Sequence, residues 1–296
     1  MNGTSIQSDV SYWLRQGNTV NHLLFWNILI FLLLGIARLV NYISPSSGAV
    51  FGFLYDQMAF HAAPEAFIRR PWGLFTYMFS HVAIFHILFN MLNLYWFGNL
   101  FRSFLGNRRV LPLYLLGGIT GALLFMGSYF IIHPGVDSTM IGASAAVMCM
   151  LIACATLMPN YQIGLLFIGS VRLKWLAIAI IILDIISIPD GNMGGIIAHL
   201  GGALLGFSYI KILQSGTDLC QPLILLFEKM AAIRMAQPAT NGNRSFKPKK
   251  SPLKVVKKQD ENKQLRLDQL LDKINENGMH SLSPEEKAWL DKMSQE

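Results

Sequence analysis

The chain has 296 residues, 53% of them hydrophobic and only 14% charged, with three cysteines and a formal net charge of +7. Average soluble domains carry about 25% charged residues, so this composition does not fit an ordinary soluble domain and points to lipid. Cys149, Cys154 and Cys220 show no disulfide framework, and nothing marks a secreted product.

Residues 1–21 are polar, carry Tyr12 and Trp13, and read as a short interfacial lead-in. Apolar runs follow near 22–44, 82–101, 110–132, 143–158, 172–188 and 193–213. Several reach the about 20 residues that a helix needs to cross a hydrocarbon core. Six spans is the simplest count, and the fold class is an all-α membrane bundle. The first run lacks a small-residue cleavage site and exceeds signal-peptide length, so it reads as a retained span. Between the first two spans, residues 45–80 hold Pro45, Pro64 and Pro71 among aromatics. A structureless loop of that length is unusual, which predicts a partly embedded loop with short helices. Segment 143–158 is short for a crossing and predicts a helix that begins inside the membrane, sheltered by protein.

After the sixth run, 219–235 reads as an amphipathic surface helix. Residues 244–266 hold nine Lys or Arg, the composition of a solvated linker drawn to anionic headgroups. It lacks the interleaved aromatics of a nucleic-acid surface, so no nucleic-acid partner is expected. Leu267, Leu270, Leu271 and Ile274 recur at helical spacing and stop at Gly278. Ser283-Pro284-Glu285-Glu286 joins a capping box to proline at the first helical position, and Trp289, Leu290 and Met293 follow. The tail is thus a helical hairpin, too small to be stable alone, that docks on a partner, on itself in a homo-oligomer, or on the membrane domain. The domains read as an N-terminal segment 1–21, a membrane domain 22–213, an amphipathic segment and linker 214–266, and the hairpin 267–296.

Orientation follows from Lys and Arg. Arg102, Arg108, Arg109, Arg172 and Lys174 lie on one side, whereas 133–142 and 189–192 contain neither residue type. The second and fourth connections and both termini are therefore expected in the cytoplasm. Arg38, Arg69 and Arg70 run against the trend; Arg38 is close enough to a helix end to snorkel.

Strongly polar side chains inside a bilayer are functional candidates by default. They are His81, His86 and Asn90, then Ser144, Asp184 and His199. From the span starts, Asn90 lies about 12 Å deep and His199 about 9–12 Å deep on the same side. Ser144, opening a short helix after Gly142-Ala143, reaches a similar depth if 133–142 dips inward. His86 and Asn90 share a helix face, and Ser144 offers an unpaired first-turn N–H. Those donors are what an oxyanion hole requires. A serine hydroxyl needs a neighbouring base, and His199 is the candidate. Gly202 and Gly206 form a small-residue face that lets its helix approach closely. His81 reads as a structural, loop-tethering histidine, His133 as solvated, and Asp184 as reaching water or Asn192.

These motifs in this order resemble the rhomboid family of intramembrane proteases. The likeness spans about 70–210: Pro71-Trp72, His81, His86-Ile87-Leu88-Phe89-Asn90, Gly117-Gly118 to Gly121, Gly142-Ala143-Ser144, and the run Ala198 to Gly206. The resemblance implies a bacterial-type, six-helix core in an inner (cytoplasmic) membrane, with water reaching the site from the outer side. It further implies a Ser144–His199 dyad without an acidic third member, and an oxyanion hole from His86, Asn90 and the Ser144 amide. No cofactor or metal is implied, and the substrates are single-span membrane proteins. Ala145 stands where the family usually has Gly, Gly73 where it often has Arg, and Met148 where an aromatic commonly packs on the histidine. A metalloprotease using His81, His86 and His199 would need inward carboxylates or an HExxH helix, and neither is visible. A transporter should show internal repeats with broken helices. A non-catalytic scaffold binding transmembrane helices is the remaining alternative.

Overall fold

The computed structural model describes residues 6–44, 48–165, 169–188, 192–235 and 259–293. It divides into two units, Met1–Gln237 and Pro238–Glu296. Most of the expected basic linker, 244–258, lies outside the described residues.

The first unit is an all-α membrane bundle. A lead-in helix α1 (Ile6–Arg15) precedes the first long helix, α2 (Thr19–Ile43). Asn18 starts α2 by accepting from the Val20 amide, and its own amide reaches Asn21 and Asn99. The connection that follows is built as its length demands, from short elements: α3 (Gly48–Met58), β1 (Phe60–His61), α4 (Pro64–Arg69), α5 (Gly73–Thr76) and a 3-10 turn Tyr77–Phe79. Then come α6 (Ile84–Leu105), α7 (Val110–Ile132), β2 (Thr139–Met140) and α8 (Ser144–Leu157). A hairpin of β3 (Gln162–Leu165) and β4 (Gly169–Arg172) leads to α9 (Leu173–Ile186), α10 (Met193–Gln214) and α11 (Gln221–Met235).

By length and composition α2, α7 with its preceding turn, and α10 can cross a membrane, and α6 adds a fourth span with its lead-in bent by 92°. At 14 residues each, α8 and α9 rise about 21 Å, short of the about 30 Å hydrocarbon core. α8 solves this by sitting in the middle: every residue from Ala145 to Ala155 is buried, so nearly its whole length meets protein rather than lipid. α9 lies at the periphery, burying only Leu173 and Ala177 and exposing Trp175, Ile182, Leu183 and Ile186. On a soluble protein such a face would be a liability; against acyl chains it is ordinary.

Small residues close the three central helices on one another. A Cβ on Gly202 would collide with the Ala145 carbonyl, and one on Gly206 with that of Cys149. On Gly121 it would lie 2.6 Å from the Ala145 Cβ and 2.8 Å from the Ala198 carbonyl oxygen. Backbone contact of this kind supplies the dispersion energy that associates helices where lipid removes the hydrophobic drive. Gly73 is explained similarly, since any side chain would start 2.6 Å from the Ala59 carbonyl oxygen.

The second unit contains the expected hairpin, α12 (Gln259–Asn277) and α13 (Pro284–Met293). The capping box forms in full: the Ser283 amide donates to Glu286 Oε2 at 2.7 Å and the Glu286 amide to Ser283 Oγ at 3.2 Å. Lys273 Nζ joins Glu286 at 2.9 Å, Leu270 and Leu282 are buried, and Arg266 lies over the Trp289 ring at 5.1 Å.

Candidate active site

The turn before Ser144 is held residue by residue. Gly142 has φ +126°, a conformation that side chains disfavour, and a Cβ there would fall 2.6 Å from Cε1 of His86. Its N–H donates to the Tyr77 carbonyl at 2.9 Å. The next N–H, of Ala143, donates to His81 Nε2 at 3.2 Å. His81 is fully buried, and because Nε2 accepts, its proton sits on Nδ1. The segment 77–81 is itself anchored: Tyr77 Oη donates to the Gly118 carbonyl, and Tyr114 Oη to that of Met78, both at 2.6 Å. Ser144 then begins α8, and its backbone N–H has no acceptor among the described residues.

His86 and Asn90 come from the first two turns of α6. Asn90 Nδ2 donates to the His86 carbonyl at 2.8 Å, which occupies one of its two amide protons. The His86 ring stands edge-on to that of His81, centroids 5.0 Å apart. Asn90 lies six residues into α6 and His199 six residues into α10, each about 9 Å from its own helix start.

His199 Nδ1 lies 2.9 Å from Asp184 Oδ2, each side chain 20% exposed. Ser144, His199, His86, Asn90 and Asp184 all line one cavity of about 780 Å³, walled by Met148 and Ile180 and by residues 138–141. Its volume is within the usual ligand-pocket range of about 300–1,000 Å³. No hydrogen bond joins Ser144 to His199 among the described residues; unliganded sites are often looser than their complexes.

One feature departs from the resemblance. A dyad without an acidic partner was implied, with Asp184 reaching water or Asn192, yet the carboxylate meets the imidazole. His81 tethers the loop as expected, and His133 is exposed. Sequence reasoning missed Tyr77 and Tyr114; their signal was a polar tip within an apolar run, which needs a partner when buried. It also missed a clasp next to the 138–141 segment, where His61 Nδ1 meets Asp137 Oδ2 at 2.8 Å and the Ala63 amide donates to Asp137 Oδ1 at 3.0 Å.

The fold and the cavity define a polytopic all-α membrane protein whose central buried helix begins with a serine at a polar, histidine-lined cavity. Residues 69–216 match the rhomboid domain, and the chain belongs to the rhomboid family, whose members are generally intramembrane serine proteases. Residues 255–296 match a further family of unknown function, DUF6576. Among curated relatives, the chain is 30% identical over 175 residues to presenilin-associated rhomboid-like protein A, mitochondrial, of Danio rerio, covering 55% of this chain and 43% of the relative. To RHOMBOID-like protein 12, mitochondrial, of Arabidopsis thaliana it is 33% identical over 144 residues, 44% of this chain and 43% of the relative. The human presenilin-associated rhomboid-like protein, mitochondrial, is 31% identical over 140 residues, 45% of this chain and 35% of the relative. The match spans less than half the length of each relative. These names are mitochondrial, so the expected bacterial inner membrane draws no support from them.

Proposed function

We propose that the chain is an intramembrane serine endopeptidase that cleaves single-span membrane proteins in or near their transmembrane segments. Ser144 Oγ attacks the scissile carbonyl and His199 takes its proton. His86, Asn90 and the Ser144 amide receive the negative charge that develops on the carbonyl oxygen, where preorganised donors contribute most. A carbonyl in an intact helix is shielded by its own hydrogen bond, so the substrate must unwind locally first. The loop charges support an orientation with both termini on the Lys/Arg-rich side and the cavity opening opposite.

One observation carries the reading: Ser144 and His199, from segments 55 residues apart in sequence, line the same cavity at the same end of the bundle. Its test is labelling of the full chain in proteoliposomes by a fluorophosphonate, together with cleavage of a single-span reporter. Both are expected to be insensitive to chelators and to fall by about 10⁴-fold or more in Ser144→Ala. Reporter binding without cleavage or labelling would favour the scaffold instead.

A further inference from the structure

We propose that Asp184 is a positioning residue for this hydrolysis, its carboxylate holding His199 in the tautomer and orientation that leave Nε2 for the Ser144 proton. The inference rests on the roles proposed above for Ser144 and His199. Asp184 is the only acidic residue of α9, in the run Leu173–Ile186 whose only other charged side chain is Lys174. An acid in such a helix is costly in lipid and is turned toward protein or a watered cavity. Here it does both, meeting His199 Nδ1 at 2.9 Å on the cavity wall.

The chemistry follows from which ring nitrogen is occupied. With Nδ1–H donated to Asp184 Oδ2, the lone pair is on Nε2. As the bond from Ser144 Oγ to the carbonyl carbon forms, the carbonyl π pair moves to oxygen and the Oγ proton passes to Nε2. Asp184 stabilises the imidazolium without taking its proton. The pair on oxygen then re-forms the carbonyl, the C–N bond breaks, and Nε2 gives its proton to the departing amine. Water repeats the sequence on the acyl-enzyme. Among the described residues that line the cavity Asp184 is the only carboxylate, so no other anion there could replace it.

A purely structural role is the competitor, because the same contact ties the lightly buried α9 to α10. The two differ in what they move. Full-length wild type, Asp184→Asn, Asp184→Ala and Asp184→Glu are compared in proteoliposomes for kcat, KM, fluorophosphonate labelling rate and Tm, with activity referred to folded protein. Asp184→Asn and Asp184→Ala are expected to lose about 10²–10⁴-fold in kcat and labelling rate with KM within about threefold. Asp184→Glu, or formate added to Asp184→Ala, should recover at least about tenfold of that loss. Retention of kcat within about threefold in Asp184→Asn, or a loss that vanishes per folded molecule, overturns the role of Asp184. Ser144→Ala separates the premises: full activity there removes the serine reading, whereas inactive Ser144→Ala beside active Asp184→Asn removes only this inference.

Discussion

The position of Ser144 is set by residues that touch no substrate. Two successive N–H groups, of Gly142 and Ala143, are spoken for by the Tyr77 carbonyl and His81 Nε2. Removing the second acceptor leaves a buried N–H unpaired, at a cost of about 1–3 kcal/mol. It also frees the turn that aims the hydroxyl, and a displacement near 1 Å costs about 10²-fold in rate. His81→Ala and the better-filling His81→Phe are both expected to lower kcat by about that factor, with a Tm that falls less in the phenylalanine variant. Equal activity of His81→Phe and wild type would show that the ring's volume, not its nitrogen, positions Ser144. That His86, Asn90, Ser144 and His199 gather at one cavity was legible in the sequence, because each is a polar residue where lipid should exclude one. The partner of Asp184 was not, since a rotation of α9 by one residue, about 100°, would turn the carboxylate away and no spacing in the sequence specifies that angle.

Several helices were legible to within a residue or two, but α6 runs four residues past the apolar run 82–101 and α12 starts at Gln259, inside the stretch expected as a solvated linker, because a helix continues through polar residues that apolar patterning does not register. The run 143–158 corresponds to Ser144–Leu157 and 172–188 to Leu173–Ile186. Pairing between the 45–80 and 133–142 connections was opaque, since β1 and β2 are two residues each and about 79 residues apart. They meet because His61, sandwiched between Asp56 and Asp137, carries β1 to the 133–142 connection. Burial raises the Asp137 carboxyl, but the hydrogen bonds from His61 and the Ala63 amide outweigh it and hold the group below its ordinary 3.8. A carboxyl whose pKa is depressed on folding stabilises the fold above its unfolded value and loses that contribution as pH falls through the folded one. The clasp is therefore intact at neutral pH and is lost as acid takes the pH through the lowered Asp137 value, below the ordinary 3.8. After correction for intrinsic rates, exchange of the Ala62 and Ala63 amides should accelerate in acid, and Asp137→Ala should show the fast rate already at pH 7. Because 138–141 wall the cavity, that variant should also raise KM more than it lowers kcat.

At the scale of the whole chain, the rhomboid match and the tail match fall on different units: residues 69–216 in one, 255–296 in the other. Every residue assigned a role in hydrolysis lies in the first. Within the hairpin Glu286 accepts from the Ser283 amide and from Lys273, and these bonds hold its carboxyl below the ordinary range. Leu265 and Leu271 are left exposed beside its small core, and about 30 residues bury too little surface for much independent stability. Nothing in this arrangement requires the tail for bond cleavage. A chain ending after Met235 is accordingly expected to insert, label with fluorophosphonate and cleave a single-span reporter with kcat and KM within about threefold of the full chain. A fall in kcat beyond about tenfold, with Tm of the membrane domain unchanged, would mean that the hairpin acts on the site. A change confined to KM would assign it to substrate recruitment, and the two outcomes separate cleanly because the tail supplies no reacting atom.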